Sequence, residues 1–242
     1  MGHPVLIVAL DVPALAAAAA LVDLLRPVTP WFKIGPTLFT GAGPEAVRMV
    51  HAAGGRVFLD LKFHDIPQTV AGGVSAAVDL GVALLTVHCA GGRAALEAAA
   101  AAASRAGGRT RVLGVTRLTS EAGRVGASVL RAAAEAHAAG LDGVTASARE
   151  CRRIKARFGQ EFLVLTPGIR PAGTQAGDQA RIVTPRQAVR AGSDYLVVGR
   201  PVLAAADPAT AAAAIAEEMR RAVGRPPRPA GVAFAAREPM DE

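Results

Sequence analysis

Short apolar runs recur along this chain, and longer Ala-rich stretches separate them. The runs are VLIVAL (Val5–Leu10), WFKI (Trp31–Ile34), RVFLDL (Arg56–Leu61), VALLTVH (Val82–His88), RVLGVT (Arg111–Thr116), DGVTAS (Asp142–Ser147), FLVLT (Phe162–Thr166) and DYLVVG (Asp194–Gly199). Their apolar character is nearly continuous rather than alternating, the pattern of parallel strands buried on both faces. The stretches between them, such as RAALEAAAAAASRA from Arg93 to Ala106, are rich in the strongest helix former. Glycines in HAAGG and HAAGLDG mark helix ends just before the next run.

Eight strand-then-helix units predict a (β/α)₈ TIM barrel, an α/β fold, because right-handed crossovers place every helix outside a closed sheet. An open doubly wound sheet is the alternative. It is disfavoured because no Gly-x-Gly-x-x-Gly fingerprint follows the first run. The expected organisation is one catalytic domain over residues 1–224, with a Pro-rich tail over 225–242. In such barrels chemistry gathers where the strands end. Those ends carry Asp11, Lys33, Asp60 and Lys62, with Asp65 just beyond. Further on they carry TRLTS (Thr116–Ser120), TPGIR ending at Arg170, and Gly199–Arg200.

Bulk properties narrow the function. The chain has 242 residues and a formal charge of +7, with Lys33, Lys62 and Lys155 as its only lysines. The arginines are scattered and not interleaved with aromatics, so nucleic acid is not expected as a partner. An anionic small substrate is. The run ALAAAAALV, Ala14–Val22, is too short to span a membrane, and Asp11 and Pro13 interrupt any signal-peptide core. Cys89 and Cys151 have no disulfide or metal spacing, which fits reduced thiols in a cytoplasmic protein. No His/Cys/carboxylate cluster has metal-ligand spacing, and neither a nucleophile elbow nor a phosphate loop of the NTPase kind occurs. The expectation is no metal and no organic cofactor.

Two of the three lysines fall at the barrel mouth of a chain that otherwise uses arginine. An ammonium can deliver a proton near neutral pH and a guanidinium cannot. On a strand, Asp60 and Lys62 share a face, about 6.5–7 Å apart at the backbone. With Asp65 within a turn and Lys33 on the next strand, the group reads as an ammonium held among carboxylates, a proton donor rather than an imine-forming nucleophile. PGIR and GR follow the seventh and eighth strands, where barrels frequently bind phosphate. The Gly-rich segment Arg170–Arg181 reads as a lid over that phosphate. His64 and His88, at strand ends, read as structural hydrogen-bonding residues.

DLKFHDIP, with FKIGPTLF upstream and LTS, PGIR and VVGRPV downstream, closely resembles the bacterial orotidine 5′-phosphate decarboxylases, in order from Asp11 to about Pro201. The Asp-x-Lys-x-x-Asp core is shared with a wider barrel superfamily. Ile66-Pro67, PGIR and the final GR make the match specific. Gln68 stands where the family usually has Asn. The resemblance implies decarboxylation of orotidine 5′-phosphate to uridine 5′-phosphate by a homodimer with shared sites. Lys33, Asp60 and Lys62 would form a charged array completed by the partner subunit's Asp65. Asp11 and Lys33 would contact the ribose, with Thr69 reaching from the other protomer. Thr119 would face the pyrimidine. Arg170, Gln179, Gly199 and Arg200 would hold the phosphate. Two rival readings are a Mg²⁺-dependent relative acting on keto-sugar phosphates, and a catalytically silent barrel that binds nucleotides or nucleic acid. The first would carry an acidic metal ligand near the second strand, where this chain has Lys33.

Overall fold

The computed structural model describes residues 3–105, 109–117, 126–171 and 183–223. Eight parallel strands close into a barrel in sequence order. They are β1 (Val5–Ala9), β2 (Trp31–Ile34), β3 (Arg56–Phe63), β4 (Leu84–His88), β5 (Arg111–Val115), β6 (Gly143–Thr145), β7 (Leu163–Thr166) and β8 (Tyr195–Val198). Each lies within or across a run expected to be a strand. The ends differ modestly: β4 starts at Leu84 rather than Val82, β6 keeps three residues, and β3 runs past Leu61 to Phe63.

The helices are α1 (Leu15–Leu25), α2 (Pro36–Ala42), α3 (Pro44–Ala52), α4 (Pro67–Asp79), α5 (Arg93–Arg105), α6 (Gly126–Ala138), α7 (Ala148–Phe158), α8 (Pro185–Ala191), α9 (Arg200–Leu203) and α10 (Pro208–Val223). Proline opens several of them at the first turn, where its missing N–H costs nothing. Helix α8 carries a full capping box, with Thr184 and Gln187 satisfying each other's backbone N–H groups. No described helix is long and apolar enough to cross a membrane.

The strands read as unbroken apolar runs because successive residues enter different cores. Leu6 and Val8 of β1 pack outward among the helices, with Phe32, Ile34, Val57, Leu59, Val144, Val164 and Leu196 from other strands. Ile7 and Ala9 point inward and meet Trp31, Phe58, Leu84, Leu113, Leu165 and Val197 inside the barrel. At the floor the rings of Trp31 and Tyr195 lie 5.5 Å apart, and the Arg56 guanidinium covers the Trp31 ring at 4.6 Å. The Lys155 ammonium is buried near the floor. It donates to the carbonyls of Gln160 and Phe162 at 2.8 and 3.0 Å and to Asp194 Oδ2 at 2.7 Å. The third lysine is therefore a structural one, far from the mouth.

Gly143 lets β6 close against β7. A Cβ at that position would lie 2.2 Å from the Leu163 carbonyl oxygen, inside any permitted contact. Residues 225–242, expected to be a tail, and the greater part of the expected lid lie outside the described residues.

Candidate active site

The inward-facing residues nearest the strand ends form the barrel mouth, and a cavity of about 320 Å³ opens there. Ala9, Lys33, Asp60, Val115, Thr145, Leu165 and Val197 line it from within the strands. Asp11, Lys62, Arg117, Pro167, Gly168, Arg170, Gly199 and Arg200 line it from strand ends and the loops that follow.

Two ion pairs occupy one side. Lys62 Nζ donates to Asp60 Oδ2 at 2.8 Å, and Lys33 Nζ donates to Asp11 Oδ1 at 2.8 Å. The strands place the second pair directly. Ala9 lies opposite Lys33 in the β1–β2 ladder, so Lys33 projects inward beside the chain leaving β1. Gly35 keeps that space open, since a Cβ there would sit 2.9 Å from Lys33 Nζ.

The first pair is not produced by simple strand alternation. The β3–β4 register shifts between Leu59 and Phe63, and Lys62 adopts φ 51°, the left-handed region that side chains other than glycine rarely enter. Thr86 on β4 stitches this bulge together. Its hydroxyl accepts the Lys62 backbone N–H at 3.0 Å and donates to Asp60 Oδ1 at 2.9 Å. Asp60 thus takes one hydrogen bond on each oxygen, and the Lys62 ammonium has one partner among the described residues. Unlike Lys155, whose donors are consumed by protein, Lys62 has donors available to a ligand.

At the other end Arg170 is buried, with Nη1 donating to the Ile169 carbonyl at 3.0 Å. Burial, and after it the nearby Arg200 charge, disfavour the protonated guanidinium. Two cations gathered at a partly desolvated end favour a bound anion, which relieves their repulsion.

The structure therefore brings Asp11, Lys33, Asp60, Lys62, Arg170, Gly199 and Arg200 to one cavity. It does not bring Asp65 or Thr69 there. Asp65 is exposed, and its Oδ1 accepts the neighbouring Ile66 N–H at 2.6 Å. Thr69 is exposed on α4. The expectation that Asp65 crowds Lys62 within one chain is thus corrected: beyond the bulge the chain turns into α4 and carries this carboxylate outward. Thr119 and Gln179 lie outside the described residues. His88 does have the structural bond expected of it, with Nδ1 accepting the Ala90 N–H at 3.1 Å, and His64 stacks on it at 5.1 Å. Neither thiol is activated. Burial, then Glu135, push Cys89 up to about 12; burial pushes Cys151 to about 11.

Sequence reasoning missed Thr86, Thr145 and Arg117. The signal for the two threonines was present: each is a hydroxyl at an inward strand position, where the other strands carry apolar side chains.

Comparison with known proteins shows the family. Residues 4–215 match the model of the orotidine 5′-phosphate decarboxylase / HUMPS family. The chain is 54% identical over 231 residues to an orotidine 5′-phosphate decarboxylase of Halorhodospira halophila, covering 91% of this chain and 98% of the relative. It is 54% identical over 230 residues to that of Moorella thermoacetica, covering 88% and 91%. Among solved structures, the orotidine 5′-phosphate decarboxylase of Lactobacillus acidophilus superposes with a TM-score of 0.77 at 34% identity, over 90% of this chain and 99% of that one. With a family model matching most of its length and relatives of nearly equal length at 54% identity, the chain belongs to the orotidine 5′-phosphate decarboxylase / HUMPS family.

Proposed function

We propose that this protein decarboxylates orotidine 5′-phosphate to uridine 5′-phosphate, the last step of de novo pyrimidine nucleotide synthesis, in the cytoplasm and without a metal or organic cofactor. The observation that carries the reading is the Lys62–Asp60 pair on one wall of a cavity whose far end holds Arg170 and Arg200. A nucleoside monophosphate spans such a site. Its dianion meets the two guanidiniums and the Gly199 backbone, the family resemblance assigns Gln179 to the same group, and the base enters the barrel mouth. Lys33 and Asp11 offer a donor and an acceptor to the ribose hydroxyls, and the family resemblance assigns Thr119 to the pyrimidine.

When the bond between C6 and its carboxylate breaks, CO₂ departs and the electron pair remains on C6. That orbital lies in the ring plane, where the π system delocalises it poorly. The charge must be met by something already in place, and a fixed ammonium does this without reorganisation. Lys62 Nζ then gives its proton to C6, and the amine left behind regains one from solvent. Binding energy at the phosphate, remote from C6, is available to hold the site closed and exclude water.

The barrel over residues 1–224 is the catalytic domain in this reading, with 225–242 as a tail. The site is completed in a homodimer, where the partner's Asp65 joins the charged array and the partner's Thr69 reaches the ribose. The exposure of both residues on this chain supports that arrangement.

The test is incubation with orotidine 5′-phosphate in EDTA, followed by ultraviolet absorbance. Wild-type protein is expected to convert substrate fully. Lys62→Ala is expected to lose on the order of 10³-fold or more in kcat while still binding uridine 5′-phosphate. Loss of activity on chelation, or near-normal turnover by Lys62→Ala, refutes the reading.

A further inference from the structure

Thr145 closes β6 on the inward side, with Val115 of β5 and Leu165 of β7 as its ladder partners, and all three line the cavity. The residue is 8% exposed. Its Oγ1 is shielded and makes no hydrogen bond with any described residue. The described neighbours leave it unmet: Val115 and Leu165 present hydrocarbon, and the Thr116 hydroxyl spends its proton on the Thr145 carbonyl at 2.8 Å. Valine has the same shape, suits a strand as well and leaves nothing unmet, so a hydroxyl here is costly for folding alone. The cavity is the direction from which an acceptor can arrive.

Position along the barrel axis says what that acceptor belongs to. Arg170, Gly199 and Arg200 follow their strands and sit at the outer rim, whereas Thr145, like Asp60, lies within a strand and deeper. A nucleotide with its phosphate at the rim places its base against the deeper ring. We infer that Thr145 is a further substrate-contacting residue: its hydroxyl, by rotation about Cα–Cβ, donates to an oxygen of the bound pyrimidine, a ring carbonyl or the C6 carboxylate. The inference rests on the decarboxylase reading above.

The experiment compares Thr145→Val and Thr145→Ser with wild type in three measurements: turnover of orotidine 5′-phosphate, affinity for uridine 5′-phosphate, and thermal melting. Thr145→Val is expected to lower kcat/KM about tenfold and to melt no lower than wild type. Thr145→Ser is expected to stay within about twofold of wild type. A parallel fall in uridine 5′-phosphate affinity identifies a ring carbonyl as the partner, and an unchanged affinity identifies the carboxylate. Three results overturn the inference: Thr145→Val within about twofold of wild type in both kcat/KM and product affinity, a loss that Thr145→Ser does not restore, or a loss matched by a lower melting temperature. Absence of turnover by the wild type itself overturns the functional reading instead, which keeps the two failures apart.

Discussion

At Lys62 a strained backbone and the proposed proton donor meet in one residue. The left-handed conformation of a lysine costs on the order of 1–2 kcal/mol and persists only where surrounding contacts hold it. Thr86 supplies two of those contacts from a fully buried position, taking the Lys62 N–H that the bulge removes from the ladder and fixing Asp60. Thr86 is therefore a positioning residue that acts through both members of the ion pair. Thr86→Val keeps the shape and removes both bonds. Because one of them reaches a carboxylate, kcat is expected to fall about 10- to 100-fold, with KM changed little and Thr86→Ser close to wild type. Steady-state kinetics separate this from a loosened core, which would lower the melting temperature of both variants.

At the scale of elements, the strands were legible because burial on both faces leaves an unbroken apolar signature, which the three-residue β6, Gly-Val-Thr, carries least. The charged residues of the mouth were legible for a related reason, since a charge at the end of such a run stands out. The bulge in β3 was not, because Phe63 continues the apolar run and nothing in DLKF announces a left-handed lysine. That bulge explains why Asp65 leaves the mouth although it follows Lys62 by three residues. Thr86 and Thr145 escaped notice because a threonine inside a strand is ordinary by propensity; only its inward parity distinguishes it. Gly143, a residue type that strands disfavour, is what permits β6 to close against β7. Gly143→Ala drives a Cβ into backbone rather than into a flexible side chain, so β6 and β7 must separate. A loss of about 3 kcal/mol is expected in urea unfolding, with Gly35→Ala, which meets only the side-chain tips of Lys33 and Asp11, losing much less.

At the scale of the whole molecule, the mouth built by one chain lacks the third carboxylate that the family resemblance assigns to it. The stretch from His64 to Thr69 is exposed, and Ile66 within it is 65% exposed, an unusual place for a large apolar side chain, next to Asp65 and three residues before Thr69. In the homodimer proposed above, a two-fold interface through this face would cover Ile66 and present Asp65 and Thr69 to the other subunit, and symmetry would make the exchange mutual. The consequence can be tested without seeing the dimer. Lys62→Ala and Asp65→Ala each disable both sites of a homodimer. In a mixed dimer, the subunit carrying Asp65→Ala keeps its own Lys62 and receives an intact Asp65 from the other chain, so one of its two sites is whole. Equal amounts of the two inactive proteins, unfolded and refolded together, should therefore recover about a quarter of wild-type activity, because half the dimers are mixed and each has one good site. A mixture as inactive as its components, under conditions where wild type refolds to full activity, would mean that Asp65 serves no site across an interface.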